Sequence, residues 1–332
     1  MKDVIEIASS NNNGLFVISL DFEMLYGLNN LPNQELQKQN VLGGRKAIGK
    51  ILENFRNYNI HATWATVGMI MASDKTELLN YLPVKKPHYP KTNYNMDLIG
   101  NDEHSDPYHF GCSLINDILK VPYQEIGSHT FSHYFCLKEG QSILEFEADL
   151  ASAFKMAEDK GLKLSSLVLP RNQIQEDYLK IAGDYGIRSY RGTEKAIVYR
   201  PQENESLLKR AFRLADAYLN LFGMNCYTLE ELSYVNDVLN IPASRFLRPY
   251  MPKLACLEKL KISRIKHQML YAAKKGMIFH LWWHPHNFSK NMEENLKNLK
   301  NILDYYTELQ EKYGFSSVNM LEIAEMKESI TQ

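Results

Sequence analysis

Short apolar runs that alternate with amphipathic stretches constrain the fold of this chain more than any other sequence feature. The runs have the length of β-strands and lie at residues 15–21, 60–68, 123–129, 165–171, 187–192, 276–284 and 316–325. Two stretches between them, 44–59 and 143–161, have helical periodicity, and the second ends in Gly161, where a helix C-cap belongs. This alternation predicts a parallel sheet covered by helices, and about seven strand–helix units favour a barrel over a small open sheet.

The length and composition are typical of one elaborated α/β domain. We expect a single domain over residues 1–332, with insertions at about 84–111 and 201–250. Basic and acidic residues balance, 38 against 39, which argues against a nucleic-acid partner. No apolar stretch approaches the roughly 18–20 residues of a transmembrane helix, and the first residues lack the pattern of a secretory signal. We therefore expect a cytoplasmic protein.

Two stretches interrupt the alternation. The segment 84–111 is polar, contains proline and is long for a connection, which indicates either a functional loop that covers a site or a mobile one. The segment 207–229 has apolar residues on one helical face and basic residues near its start. We expect the second segment to form one helix that packs on the barrel.

Two carboxylates, Asp21 and Glu23, follow the first apolar run. Side chains alternate between the two faces of a strand, so residues two apart point the same way. The pair also lies at the carboxyl end of the predicted strand, where α/β proteins build their sites. Both acids are therefore expected at one functional site.

A pair of histidines, His129 and His133, follows the third apolar run in the segment EIGSHTFSHYF. On a helical turn this spacing places both imidazoles on one face, close enough to share a metal ion with a carboxylate. The alternative is a pair of surface or capping histidines. The HExxH motif of zinc proteases is absent because Thr130 follows the first histidine, so a general base must come from elsewhere, and Asp21 is placed to supply it.

The late run MIFHLWWHPHNF carries three histidines. His284 precedes Pro285, where the strand should stop, and is a candidate general acid because imidazoles titrate near neutral pH. His280 is more typical of a buried core histidine, whereas His286 could support the site or contact the substrate. The adjacent Trp283 suits stacking on a sugar ring, although aromatic residues also fill barrel cores.

Arg171, in the segment LVLPRNQ, stands at a fourth strand end. An arginine at the mouth of a site pairs with a carboxylate, either of the substrate or of the protein. Pairing with Asp21 would keep that carboxylate ionised and therefore competent as a base. We expect Arg171 to belong to the catalytic group.

The order of these motifs resembles that of the polysaccharide deacetylase family, the NodB-homology carbohydrate esterases. The match runs from residue 15 to about residue 288. Its motifs are, in order, the acidic pair, HATWATVG, GSHTFSH and a late strand that ends in histidine. GSHTFSH is the most specific of them. The resemblance implies a distorted (β/α)7 barrel, a divalent metal ion that is usually zinc, and hydrolysis of an N- or O-acyl group of a sugar. By this resemblance, the family's metal ligands correspond to Glu23, His129 and His133. Its general base corresponds to Asp21, and its general acid corresponds to His284.

Three departures from the family pattern concern the substrate more than the metal. The two acids are separated by one residue, which is closer to a branch with cytoplasmic and amidase-like members. The segment PRNQ matches the third motif only through Arg171. In place of the fourth motif, RSYRGT offers Tyr190, a candidate substrate contact, and Arg191.

We expect the substrate to be an acylated sugar intermediate of surface-polysaccharide synthesis, because a cytoplasmic enzyme would not meet exported polymers. Such sugars are linked to a nucleotide or to a lipid phosphate, and four arginines could contact phosphates: Arg210, Arg213, Arg245 and Arg248. Two alternatives remain open. One is a C–N amidase of the allantoinase type, which shares this barrel, and the other is a metal-free carbohydrate-binding relative that has lost its chemistry.

Overall fold

The fold is built on a curled sheet, which a computed structural model describes within residues 13–89, 92–202 and 206–331. The described strands are β1 (Leu15–Phe22), β2 (Ala62–Thr66), β3 (Gln124–Ser128), β4 (Ser166–Leu167), β5 (Ser189–Gly192), β6 (Tyr234–Val235), β7 (Val238–Pro242), β8 (Arg245–Phe246), β9 (Ile278–Trp283) and β10 (Ser316–Val318). Residues 1–12, on which the expectation about a secretory signal rests, lie outside this description.

Nine α-helices cover the sheet in the described ranges. They are α1 (Gln34–Asn57), α2 (Lys75–Asn80), α3 (Cys112–Leu119), α4 (Ile143–Asp159), α5 (Glu176–Asp184), α6 (Leu207–Asp216), α7 (Glu258–Lys275), α8 (Met292–Tyr313) and α9 (Met320–Thr331). Side-chain caps start several of them, as where Ser142 accepts the backbone N–H of Glu145 at the start of α4. None of these helices combines the length and the apolar character needed to cross a lipid bilayer.

The central strand β1 hydrogen-bonds to three neighbours, β2, β9 and β10. The strand order is β6-β7-β5-β4-β3-β2-β1-β9-β8, and every pairing between these strands is parallel except that of β6 with β7. The predicted α/β class with a mostly parallel sheet is therefore confirmed. The order of the hydrogen-bonded strands describes an open half-barrel. This order alone does not establish the closed (β/α)7 barrel that the resemblance implies.

Side-chain alternation along β1 divides the hydrophobic core into two parts. Phe16, Ile18 and Leu20 belong to the large core between the sheet and the helices, whereas Leu15 and Val17 belong to a smaller cluster on the concave side of the sheet. Continued along β1, the same alternation places the later odd-numbered side chains on the concave side. The two acids of the first motif therefore share a face, as the sequence predicts.

The expectation of a strand over 316–325 is wrong beyond its first residues. The strand β10 ends at Val318, and Asn319 then begins the helix α9. The Asn319 side chain accepts the backbone N–H of Glu322 at 2.9 Å, while the Glu322 carboxylate accepts the N–H of Asn319 at 2.8 Å. This reciprocal capping box starts a helix, and it overrides the apolar character of the segment.

The segment 201–250 differs from its prediction in two ways; residues 203–205 of it lie outside the described ranges. It contributes β6, β7 and β8, which are too short to give a clear alternating pattern. The helix predicted over 207–229 ends at Asp216, because the Asp216 carboxylate accepts the backbone N–H groups of Leu221 and Phe222 at 3.0 and 3.1 Å. These hydrogen bonds turn the chain and stop the helix.

Gly44 of α1 determines how closely this helix approaches the turn after β9. A Cβ atom at Gly44 would lie 2.9 Å from the Cα of His286, closer than real Cβ contacts. We expect Gly44→Ala to destabilise the protein by about 1–3 kcal/mol through overpacking. Gly49→Ala on the same helix is the matched control, because a Cβ there meets nothing within 4 Å. Urea unfolding would measure both, and equal midpoints for the two variants would contradict the close approach.

Candidate metal centre and active site

Glu23, His129 and His133 come together at the carboxyl ends of β1 and β3. All three side chains are buried, and one ligand atom from each lies within 4.8 Å of the others. Glu23 Oε2 is 3.0 Å from His133 Nε2 and 3.5 Å from His129 Nε2. Burial raises the pKa of Glu23, but the charge of His284 and the hydrogen bond with His133 outweigh burial and hold that pKa well below its usual value. This set of nitrogen and oxygen donors could hold a divalent metal ion.

The orientation of His129 supports a cation at this point. Its Nδ1 lies 2.7 Å from the carbonyl oxygen of Val168, so Nδ1 carries the proton and donates it. In the neutral ring, Nε2 then presents a lone pair toward the Glu23 carboxylate, and no described residue hydrogen-bonds to that atom. Two lone pairs that face each other in a buried site need a positive group between them, so these residues fit a metal ion.

The two histidines lie in an irregular loop, which corrects the prediction of a helical turn. Residues 129–133 have no helical hydrogen bonds, and both Thr130 and His133 adopt left-handed backbone conformations with φ of 62°. The imidazole rings nevertheless come within 5.1 Å, centroid to centroid. Because side-chain spacing on a helix does not produce this convergence, the surrounding structure must hold the loop.

The buried carboxylate of Asp149 in α4 holds this loop. It accepts the backbone N–H groups of Phe131 at 2.7 Å and Ser132 at 3.4 Å, as well as the Ser132 hydroxyl. From the segment 84–111, Tyr94 donates its hydroxyl to Asp149 at 2.6 Å, and Asn93 donates to the Ser132 carbonyl at 2.8 Å. The long segment, apart from residues 90 and 91 outside the described ranges, therefore supports the histidine loop.

Asp21 forms a buried bidentate ion pair with Arg191 of β5. The Nη1–Oδ1 and Nη2–Oδ2 distances are 2.6 and 2.8 Å. Burial raises the pKa of Asp21, but the charge of Arg191, followed by that of His284, outweighs burial and leaves the pKa below its usual value. Asp21 is therefore ionised at neutral pH.

Further contacts fix the guanidinium of Arg191. It donates to the Ser19 hydroxyl at 3.1 Å and to the Asn172 side-chain oxygen at 3.0 Å. The Trp282 ring lies against it, with the ring centroid 4.1 Å from the guanidinium carbon. These contacts use the whole fork of donors, so the orientation of Arg191, and with it that of Asp21, is determined by residues of three other segments.

Arg171 does not pair with Asp21, which corrects one of the two expectations for this residue. It lies in a tight turn after β4 with φ of 56°, and its guanidinium lies 4.3 Å from the ring centroid of Phe135. It also lines a cavity beside the site. The other expectation, that Arg171 pairs with an anionic group of the substrate, stays a prediction.

His284 lies between the two acids of the first motif. Its Nε2 is 3.6 Å from Asp21 Oδ2 and 3.7 Å from Glu23 Oε1, and its side chain is 22% exposed, which leaves one side open to a ligand. His286 Nδ1 is 3.9 Å from Glu23 Oε1, and burial lowers the pKa of His286 to about 4. His286 is therefore neutral beside the acidic pair.

His280 is the buried core histidine that the sequence predicts. Its side chain is fully buried, and its Nε2 lies 2.8 Å from the Ser19 hydroxyl. Burial lowers the pKa of His280 to about 3, so the ring is neutral at physiological pH.

Trp283 and Tyr190, two predicted substrate contacts, face away from the site. Trp283 is fully buried and packs edge-on against Phe55 of α1, and Tyr190 belongs to the core between the sheet and the helices. In each case the neighbouring residue, Trp282 or Arg191, faces the concave side. Because strand side chains alternate, an error of one residue assigns the wrong face.

Sequence reasoning missed the ion pair of Arg191, the contact of Trp282 with that arginine, and the role of Asp149. Alternation along β5 and β9 could have identified the first two, since Ser189 and His280 lie two residues before them on the concave side. Asp149 gave no comparable signal, because it is one of several polar residues on an amphipathic helix. Its role depends on how α4 packs against the histidine loop.

Solved structures share this fold, although no family model and no curated protein matches the sequence. A polysaccharide-deacetylase-type protein from Mycobacterium smegmatis matches with a TM-score of 0.63 at 11% identity, over 97% of this chain and 92% of that chain. One from Pseudomonas aeruginosa PAO1 matches with a TM-score of 0.55 at 9% identity, over 95% and 91%. Puue allantoinase matches with a TM-score of 0.57 at 10% identity, over 96% and 92%. The resemblance to polysaccharide deacetylases is therefore confirmed for the fold.

We expect Asp149→Ala to weaken zinc binding about 10- to 100-fold, because the histidine loop loses its anchor while the three candidate ligands remain. Calorimetric titration of metal-free protein with zinc would measure the affinity, at a temperature where circular dichroism shows both proteins folded. Glu158→Ala is the control, since Glu158 is exposed on the same helix. Equal affinities for Asp149→Ala and the unmodified protein would contradict the role of Asp149.

Proposed function

We propose that this protein is a metal-dependent hydrolase that removes an N-acyl group, acetyl or formyl, from a sugar. One observation carries the proposal: a buried donor set, an arginine-paired carboxylate and a partly exposed histidine surround one point at the carboxyl ends of the strands. These groups supply the metal ligands, the base and the acid that amide hydrolysis needs. The fold shared with polysaccharide-deacetylase-type proteins supports an acylated sugar as the substrate class.

Glu23, His129 and His133 would hold the metal ion, which we take to be zinc. Two imidazoles and a carboxylate are a common ligand set of catalytic zinc sites. When bound, the ion would act as a Lewis acid toward the acyl carbonyl and a water molecule. The Val168 carbonyl fixes the ring of His129 with Nε2 directed at Glu23, which prepares the imidazole for this role.

Asp21 would accept the proton of the attacking water. The charge of Arg191 keeps the carboxylate ionised at neutral pH, and the bidentate contact engages both of its oxygens. Asp21 is thereby held as a base, separate from the ligand set, although it stands only two residues from Glu23. This arrangement gives the two acids of the first motif different tasks.

His284 would donate a proton to the departing amine. Its Nε2 lies within 4 Å of both acids, and its exposed edge is the side from which a substrate would approach. The rings of Trp282 and Phe246, with centroids 5.7 and 6.2 Å from that of His284, restrict the imidazole. His286 is neutral next to Glu23 and would support the site or contact the substrate.

The same proposal includes the barrel form of the sheet, the identity of the substrate and the cytoplasm as the place where the protein acts. We take the sheet to be a distorted (β/α)7 barrel, because the residues between β7 and β8 span the gap between its two sides. The Ala243 N–H donates to the Gly192 carbonyl of β5 at 2.9 Å, and the Ser244 N–H donates to the His280 carbonyl of β9 at 2.8 Å. The substrate would be an intermediate of surface-polysaccharide synthesis, met in the cytoplasm.

A C–N amidase of the allantoinase type is the second candidate, favoured by the match to an allantoinase fold. It would use the same metal and acid–base groups on a small ring. A cavity of about 270 Å³ beside His284, lined by arginines and aromatic rings, favours the larger sugar substrate. A binding protein without chemistry is disfavoured, because ligand, base and acid positions all carry competent side chains.

Metal content and acyl release, measured on the same preparations, test the proposal. We expect one equivalent of metal per chain in both the unmodified protein and Asp21→Asn, by elemental mass spectrometry. Acetate or formate should be released from a panel of free, nucleotide-linked and lipid-linked acyl sugars by the unmodified protein. The rate with Asp21→Asn should fall about 100-fold or more, because the base is lost.

His129→Ala is the companion variant and should lose both metal and activity. Loss of metal from Asp21→Asn would contradict the separation of base and ligands. Bound metal without acyl release, together with hydrolysis of allantoin, would favour the amidase. Absence of metal after reconstitution with zinc would overturn the ligand set.

A further inference from the structure

A cavity of about 270 Å³ opens beside His284, and the proposed hydrolysis does not use it. Phe246 and Trp282 form the part of its wall that contacts the His284 ring. The remaining wall is rich in guanidinium groups, contributed by Arg171, Arg213, Arg245 and Arg248. A substrate whose acyl group lies at His284 could therefore place a further group in this cavity.

Among the described residues, positive charge exceeds negative charge around this arginine cavity. Asp216 lies behind the wall and pairs with Arg245 at 2.8 Å. Glu194 is the one acid among the described lining residues, and burial raises its pKa to about 7, so it is only partly ionised at neutral pH. Even without Arg213, three guanidinium groups therefore face these two carboxylates in the described part of the chain. Burial lowers the pKa of Arg248, and the neighbouring charges of Arg213 and Arg245 lower it further, as expected where like charges lie close together.

Arg245 provides a donor that the described residues do not satisfy. Its side chain is 4% exposed; Nη1 donates to Asp216 and Nε donates to Gln268 at 2.9 Å. The third nitrogen, Nη2, has no hydrogen-bond partner in the described ranges. A buried charged donor without a partner is costly, so the cavity favours a ligand that brings acceptor oxygens.

We propose that the arginine cavity binds a phosphate group of the substrate, as a phosphoester or a diphosphate attached to the acylated sugar. The planar fork of a guanidinium matches two phosphate oxygens, and several forks around one space suit a group with three or four oxygens better than a carboxylate. Trp282 and Phe246, whose rings lie 4.6 Å apart, offer an apolar wall for the attached ring. The identity of the substrate rests on the proposed function, whereas the anion site itself does not.

The arginines that line the cavity differ from the four that the sequence offers as phosphate contacts. Arg213, Arg245 and Arg248 line it, as expected, but Arg210 is exposed on α6 outside it. Arg171 takes its place from the turn after β4. This location gives Arg171 a task on the substrate in place of the expected pairing with Asp21.

Pyrophosphate binding to the full-length protein tests the anion site without any turnover. The protein is treated with a chelator beforehand, so that pyrophosphate cannot bind through a metal ion at Glu23. By calorimetry, we expect Arg248→Gln to weaken binding about 10-fold or more. Arg210→Gln, a change of the same residue type outside the cavity, should leave the affinity unchanged. Failure of pyrophosphate to bind, or equal binding by Arg248→Gln, would overturn the proposal.

Turnover then separates this proposal from the proposed function and identifies the source of the phosphate. The same acyl sugar is offered free, as a nucleoside diphosphate sugar and as a lipid diphosphate sugar. We expect kcat/KM for one phosphate-linked form to exceed that for the free sugar about 10-fold or more, and Arg248→Gln to reduce this preference by raising KM. Equal turnover of all three would overturn the phosphate site and keep the deacylase. Pyrophosphate binding without turnover of any form would keep the site and overturn the deacylase.

An independent observation concerns α6, which turns its apolar face to solvent. Leu207, Leu208 and Phe212 are 79, 68 and 44% exposed, whereas Asp216 is fully buried and Arg213 lines the arginine cavity. A surface helix ordinarily packs its apolar face on the core and exposes its polar face. The orientation of α6 is the reverse, which leaves an apolar surface without a partner in the described protein.

Exposed cations and further apolar side chains lie near this surface. Leu219 and Leu221, 55 and 46% exposed, follow the end of the helix. Arg210 of α6 is exposed, as is Arg200, whose carbonyl oxygen accepts the Lys209 side chain of α6. Arg213 of the same helix lines the arginine cavity, so the cavity and the apolar surface lie on different faces of one helix. Apolar side chains bordered by basic ones are typical of helices that lie in the interface of a bilayer with anionic headgroups.

We infer that α6 docks on a lipid bilayer that contains anionic lipids. Charge complementarity selects this partner, since the exposed Arg200 and Arg210 attract anionic headgroups. Insertion of the Leu and Phe side chains would remove their apolar surface from water.

Sedimentation with vesicles tests this inference. We expect the full chain to bind vesicles that contain phosphatidylglycerol and to bind pure phosphatidylcholine vesicles at least several-fold more weakly. Leu208→Glu with Phe212→Glu should abolish binding. Leu119→Glu, at a similarly exposed leucine (45%) at the end of α3, should not. Lack of binding to both vesicle types would overturn the inference. A dimer in light scattering that the double variant dissociates would also overturn it, because the apolar surface would then contact a second copy of the chain.

Discussion

The buried ion pair between Asp21 and Arg191 is the interaction on which the rest of the site depends. Removing two charges from water is costly, and only close geometry with further hydrogen bonds offsets that cost. Here the two short contacts are completed by Ser19 and Asn172 and by the ring of Trp282. These residues come from β1, β5, β9 and the turn after β4. The pair therefore links segments that are far apart in sequence across the concave side of the sheet, and it sets the position of Asp21, the proposed base, relative to the other groups of the site.

The candidate metal ligands depend on a different kind of support. Glu23 directly follows β1, in which every residue is buried, whereas His129 and His133 lie in a loop with two left-handed residues. Such a loop has no regular hydrogen-bond ladder, so its backbone donors need other acceptors. Asp149 and the segment 84–111 supply them. The long segment thus has a structural task close to the site, which accounts for its length better than a simple connection would.

The surroundings of the site differ sharply in charge from its centre. Two ionised acids lie at the centre, and guanidinium groups line the cavity next to them. Trp282 separates the two regions, with one contact to Arg191 and another to His284. A substrate with a neutral acyl end and an anionic end fits this distribution of charge. The helix α6 contributes Arg213 to the cavity wall from one face and exposes apolar side chains on another, so both features belong to the same element.

The sequence by itself determined the fold class and the candidate ligands. Strand and helix periodicities are local, and the two-residue spacing of Asp21 and Glu23 places them on one face whatever the neighbouring strands do. Only the tertiary structure decided which arginine meets Asp21, and which tryptophan faces the site. Both choices depend on the face of a strand, where a shift of one residue exchanges inside for outside. The role of Asp149 and the outward turn of α6 were likewise decided by packing between distant segments, which no local pattern records.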